Sequence, residues 1–258
     1  MKKLSIILMA FLLVFAACKK DEKEETDPNA LNPTAAQKGF SIEYTSTSCS
    51  ICGRKGGPLI HKYAKDAPNS VVIALHVNAS DPMTNNSLAW GFNGDRPSGG
   101  GIPSFWVGDT KTTYNDQDAM NTLVASGDAI AGVDIKYEID GSTMKVETLT
   151  KFFGAGSGDY YLSVYVLEDG IDGSAAGQYK QAGGASNYLH DFVIRACTAG
   201  DVMGEKIATS PAKDAEFSKS YSINLDASWE KSLYAVAVLW KFDGTANIKY
   251  SFVNAMRR

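Results

Sequence analysis

From Val133 onward the apolar residues recur at every second position, and this period restricts the possible fold more than any other feature of the chain. Val133, Ile135, Tyr137 and Ile139 alternate with Asp134, Lys136, Glu138 and Asp140. Successive side chains of a strand point to opposite faces, so a run of this kind buries one face and wets the other. Asp140-Gly141 then supplies a tight turn into residues 144–153, the pattern of a β-hairpin. Further strands are expected over 160–167, 189–196, 217–225, 233–242 and 246–253, the last two joined by Asp243-Gly244. Seven strands with turn signals between them predict an antiparallel sandwich of the immunoglobulin-like kind over residues 131–258. Residues 170–186 are rich in glycine and serine and read as a mobile loop.

Residues 39–130 follow a different pattern. A strand is expected over 40–45, and Val71-Val72-Ile73-Ala74-Leu75-His76-Val77 is an almost unbroken apolar run, as a buried central strand requires. Residues 52–65 between them can be helical, with Gly56-Gly57-Pro58 bending or breaking the helix. A loop over 78–101 follows, anchored by Trp90 and Phe92 and ending in Gly99-Gly100-Gly101. Gly108-Asp109-Thr110 joins short strands over 104–108 and 111–114. Asn115 or Asp116 can cap a helix over 117–130 with Met120, Leu123, Val124 and Ile130 on its apolar stripe. The order β-α-β, loop, β-β-α predicts a sheet that starts parallel and finishes antiparallel. With 258 residues the chain has room for two modest domains, 39–130 and 131–258.

The N-terminus carries an address. Lys2-Lys3 precedes an apolar run from Leu4 to Phe15, too short to span a bilayer and right for a secretory signal. Phe15-Ala16-Ala17-Cys18 resembles a bacterial lipobox, which implies a signal peptide over 1–17, cleavage before Cys18 and lipidation of its thiol. Plain secretion with cleavage nearby is the alternative. Both place the protein outside the cytoplasm, where disulfides persist. A helix over 1–17 that packs on little is expected. Residues 19–38 are charged, contain prolines and carry almost no large apolar groups, so they read as a solvated tether after the anchor. Its lysine and acid cluster also resembles the surface-export signal of Bacteroidetes-type lipoproteins. Without residues 1–17 the chain keeps 23 basic against 29 acidic residues, a charge of −6. No basic stripe is present for nucleic acid.

Cys49, Cys52 and Cys197 remain once Cys18 is lipidated, an odd count that leaves at least one thiol without an intrachain partner. Cys49-Ser50-Ile51-Cys52 follows a strand and opens a helix. There the outer thiol feels unpaired N–H groups and the positive end of the helix dipole, which favour the reactive thiolate. Arg54 and Lys55 add positive potential. Three readings are open: an exchanging pair, a static disulfide that secures the turn, and a metal site. Zinc needs about four ligands, and only His61 joins the two cysteines nearby, so neither metal nor cofactor is expected. Cys197 reads as a small buried hydrophobe. Alternation leaves Glu43 facing solvent or core, and His76 reads as a packed core residue.

A strand, a CxxC opening a helix, and Ile102-Pro103 before a short strand resemble the thioredoxin fold over 39–130. The resemblance implies that Pro103 is cis and faces the cysteines, offering backbone bonds to an extended partner. It also implies that Glu43, six residues before Cys49, accepts the proton of Cys52, and that Pro58 kinks the helix. Ser48 and the Ser-Ile between the cysteines depart from that family's pattern. Tyr188-Leu189-His190-Asp191-Phe192-Val193-Ile194-Arg195-Ala196 and Gly204-Glu205-Lys206-Ile207 resemble the outer-membrane-protein-28-related lipoproteins. Those proteins place a thioredoxin-like CxxC domain before a β-sandwich. Together the resemblances imply an outer-membrane lipoprotein, membrane-bound through Cys18, facing periplasm or cell surface. Thiol–disulfide exchange on extracytoplasmic proteins would rest on Cys49, Cys52, Glu43 and Pro103. The alternative is a non-catalytic binding or adhesion lipoprotein whose CxxC is structural. His190 and Arg195 read as a hydrogen-bonded pair at a strand end.

Overall fold

The computed structural model describes residues 30–174, 179–229, 232–244 and 248–258. The signal peptide expected over 1–17, the lipidation site Cys18 and the tether up to residue 29 lie outside the described residues. Leu31–Arg258 form one compact unit.

The first half opens with β1 (Phe40–Thr45). A wide helical turn, Cys52–Gly56, runs directly into α1 (Gly57–Asp66). Then come β2 (Val71–His76), α2 (Asn86–Asp95), β3 (Ser104–Val107), β4 (Thr110–Thr112) and α3 (Ala119–Val124). The second half holds β5 (Ala131–Asp140), β6 (Thr143–Phe152), β7 (Asp159–Asp169), β8 (Ile171–Asp172) and β9 (Leu189–His190). It ends with β10 (Val193–Cys197), β11 (Glu205–Thr209), β12 (Glu216–Asn224), β13 (Ser232–Phe242) and β14 (Tyr250–Arg257).

One sheet runs through both halves, in the order β14-β13-β7-β10-β2-β1-β3-β4, with β11 also paired to β7. β1 and β2 are parallel, β3 is antiparallel to β1, and β10 joins β2 in parallel at Val193 and Ala74. The join is made where Phe192 takes a left-handed conformation (φ 63°). Its carbonyl accepts the Ala74 N–H at 2.8 Å, and its own N–H donates to Asp169 at 2.6 Å. That kink divides the strand expected over 189–196 into β9 and β10.

A three-stranded sheet, β12-β6-β5, packs its apolar face on β7 and β13. Val133, Ile135, Met144 and Val146 meet Leu162, Val164, Val166, Ala235 and Ala237 there. The second half is therefore β-rich and sandwich-like, as its period of two requires. Burial along β5 does not alternate as expected: Ala131 to Ile135 are all covered, Asp134 included, and Glu138, Ile139 and Asp140 are exposed.

Several expectations change. Residues 78–101 contain α2, whose first turn is capped by the Asn85 side chain accepting the Leu88 N–H at 3.3 Å. On it Phe92 is fully buried, but Trp90 is 76% exposed and so is no core anchor. The helix over 117–130 shortens to Ala119–Val124, with Gly127 beyond it in a left-handed conformation. Gly56-Gly57-Pro58 does not break its helix: the wide turn absorbs the proline, which starts α1 where no N–H partner is needed. The strand expected to stop at 253 continues because buried Asn254 is satisfied, accepting from Lys38 N–H and donating to the Ala131 carbonyl. His190 and Arg195 do not pair. Arg195 binds Glu168 at 2.6 Å, and the His190 ring binds the Tyr179 carbonyl at 2.7 Å.

Candidate functional site

β1 delivers the chain into a turn in which the Cys49 N–H donates to the Ser46 carbonyl at 3.1 Å. Cys49 and Cys52 then form a disulfide with their Cα atoms 5.2 Å apart. The two residues differ in burial: Cys49 is half-buried, whereas Cys52 is 1% exposed. The Cys52 N–H donates to Cys49 Sγ at 3.1 Å, a bond that would favour a thiolate at Cys49 once the pair is reduced. Cys49 Sγ lies 3.7 Å from the carbonyl oxygen of Ile102, and the Ile102–Pro103 peptide is cis. Arg54 and Lys55 point to solvent, and the Arg54 guanidinium donates to the Ser50 hydroxyl.

Glu43 is buried, at 2% exposure. The alternation along β1 offers no solvent face, because β1 lies inside the sheet and all six of its positions are covered. Burial pushes the Glu43 carboxyl up to about 8, and a hydrogen bond from Thr45 offsets part of the rise. Glu43 Oε1 has no hydrogen-bond partner among the described residues. Gly56 sits directly over this carboxyl: a Cβ there would collide with Glu43 and lie 3.2 Å from Pro103 Cβ. Glu43, Pro103 and the first turn after Cys52 thus meet at one glycine.

Beside Glu43 is a cavity of about 10 Å³, room for one water. His76, His61, Tyr188, His190 and Asp191 help to line it. His76 Nδ1 lies 2.8 Å from Asp81. Asp81 also accepts the Thr47 and Met83 N–H groups, at 2.6 and 2.9 Å. Burial alone would raise the Asp81 carboxyl, but the bonds from His76 and the two amides prevail and hold it well below the usual carboxylate range. Burial, assisted by His76, lowers His190 to about 4, and burial with the nearby Glu43 raises the Tyr188 phenol. His61 faces Asp191 at 3.5 Å.

The described part of the loop expected to be mobile closes over the cysteine turn. Gln181 Nε2 donates to the carbonyls of Ser46 and Cys49, at 3.1 and 3.0 Å, and the Ala182 N–H donates to the Thr47 carbonyl at 2.7 Å. No sequence signal ties Gln181 or Tyr188 to cysteines more than 120 residues earlier. Asp81 was legible only as a turn residue before Pro82. Cys197 lies apart as a half-buried free thiol, which burial, and secondarily Asp201, pushes up to about 11.

The model of the family described as outer membrane protein Omp28 matches residues 108–255, more than half of the chain. The match leaves Cys49 and Cys52 outside. No curated protein matches the chain. Among solved structures, HBP35 of Porphyromonas gingivalis is similar at 18% identity with a TM-score of 0.67, over 87% of this chain and 75% of that one. A protein of Agrobacterium tumefaciens is similar at 13% identity with a TM-score of 0.52, over 86% of this chain and 94% of that one. At such identities these two likenesses concern the fold alone. The family match over more than half of its length shows that the chain belongs to the Omp28 outer membrane protein family, which places it at the outer membrane.

Proposed function

We propose that this outer-membrane protein exchanges thiols and disulfides with extracytoplasmic proteins, using a thioredoxin-like region over 39–130, and is held to the membrane by acyl chains on Cys18. The observation that carries the reading is the asymmetry of the Cys49–Cys52 pair. The half-buried Cys49 receives an N–H bond on its sulfur at a helix start, and Cys52 is buried. Catalytic exchange needs such a division of labour, with one thiolate meeting the partner and a sheltered thiol resolving the product.

In the reducing direction Cys49 thiolate attacks a partner disulfide. One S–S bond breaks as another forms, and a partner thiolate departs. Cys52, having given its proton towards Glu43, attacks Cys49 Sγ, closes the Cys49–Cys52 bond and expels the second partner thiolate. The Ile102 carbonyl of the cis Ile102–Pro103 peptide lies 3.7 Å from Cys49 Sγ, where that peptide can orient an extended partner chain. Insulin reduction and refolding of scrambled ribonuclease, with wild type and Cys49→Ser, test the reading. Activity that disappears with the serine supports it, and equal rates remove it.

A second reading is favoured by one observation, the bonds that tie Gln181 and Ala182 to the cysteine turn. In it the disulfide braces a surface that binds protein or glycan without catalysis. Persistence of the Cys49–Cys52 bond in millimolar dithiothreitol without denaturant would favour that reading over exchange.

A further inference from the structure

The polar cluster beneath α1 contains more than a buried acid needs. Two buried atoms with no partner among the described residues, Glu43 Oε1 and His76 Nε2, belong to side chains that line the same water-sized cavity. They share one face of the sheet: β1 and β2 are parallel, with Glu43 paired to Ala74 and Thr45 paired to His76. Leaving two such atoms unbonded in a dry core would cost about 1–3 kcal/mol each, so a bridging water fits both. With Asp81 accepting at Nδ1, the lone pair of the neutral ring is on Nε2, and the Asp81 carboxylate can stabilise the imidazolium that results. Thr47 and Met83 N–H groups fix Asp81 in turn.

We propose that His76, held by Asp81, is the second station of a buried proton relay that runs from Cys52 through Glu43 and a cavity water to His76 Nε2. The inference rests on the exchange reading. In the resolving step the Cys52 S–H bond breaks and its proton goes to the Glu43 carboxyl. The carboxyl passes a proton to the water, and the water passes one to His76 Nε2. The electron pair left on Cys52 Sγ forms the S–S bond to Cys49, and the pair of the broken mixed disulfide leaves on the partner sulfur. A carboxyl that burial keeps protonated through neutral pH is a poor terminal base, and a second acceptor removes that difficulty. Among the other groups around the cavity, burial keeps His190 neutral and Tyr188 protonated, and His61 faces Asp191 on its outer side. His76 is thus a positioning residue for proton transfer and does not touch the partner.

The test is a single turnover on the full chain with 5-thio-2-nitrobenzoate attached to Cys49, following release of the thiol as Cys52 displaces it. In His76→Gln, release below neutral pH should slow by at least about tenfold, the scale of a lost acid–base group. It should also acquire a first-order dependence on hydroxide that wild type lacks. Equal rates and equal slopes in a folded variant would overturn the relay. If the variant does not fold, nuclear magnetic resonance titration of wild type decides. Coupled two-step titration of the Glu43 carboxyl and the His76 ring supports the relay, and independent single steps overturn it. Coupled titration, with hydroxide-dependent release confined to His76→Gln, in a protein inert towards insulin would remove the exchange function while keeping the relay.

Discussion

Glu43 is the residue at which sequence and environment conflict most, and the conflict has a measurable sign. Its ordinary carboxyl value of 4.5 is raised to about 8 in the folded chain. Between those values the folded state binds the proton that the unfolded state has released, so Glu43 lowers stability as pH rises. His190, held at about 4 against an ordinary 6.5, acts in the opposite sense up to about pH 6.5, and the net decline is expected from about 6.5 to 8. The slope should approach at most about 1.4 kcal/mol per pH unit. Urea denaturation across that range should show the decline in wild type, and Glu43→Gln should flatten it. Parallel curves would mean that Glu43 is not buried as described. Gly56→Ala is the steric counterpart. Its Cβ must displace the Glu43 carboxyl and press on Pro103. Insulin reduction by the alanine variant should therefore fall well below wild type, while a folded far-ultraviolet spectrum persists.

At the scale of elements, the segment over 179–188 and the first turn after the disulfide depend on each other. A Cβ on Gly53 would lie 2.7 Å from Gly184 N and 2.9 Å from Gln181 Cγ. Gly53→Ala should consequently push the segment away, and hydrogen exchange at the Ala182 amide, now bonded to the Thr47 carbonyl, should accelerate. Unchanged protection there would contradict the packing. β5, β6, β7, β12 and β13 were legible from their apolar spacing and the Asp-Gly turns, whereas β11 was not expected and the strand expected over 189–196 is cut at Phe192. β2 was legible because it is apolar throughout. α2 was not, since Asn85 to Asp95 carries two glycines and polar residues around Phe92 and reads as loop without its tertiary support on Val202. Cys49 and Cys52 could be found from spacing, and Pro103 through the resemblance to the thioredoxin fold. His76, Asp81 and Tyr188 could not, because a parallel register and a segment from the second half bring them to the cavity.

Across the whole molecule, the change of pattern near residue 131 is not a break in the sheet: β10 seals the open side of β2, and β7 continues from it. Thermal unfolding of the chain from residue 31 should therefore be a single transition, with calorimetric and van't Hoff enthalpies in agreement. Two separated transitions would show halves that unfold independently. The account's central claim is that Cys49 and Cys52 are an exchanging pair, and their reduction potential tests it most directly. Equilibration with glutathione or dithiothreitol should give a value between about −120 and −270 mV, the span of catalytic dithiols. A value below about −300 mV, where structural disulfides lie, would contradict it.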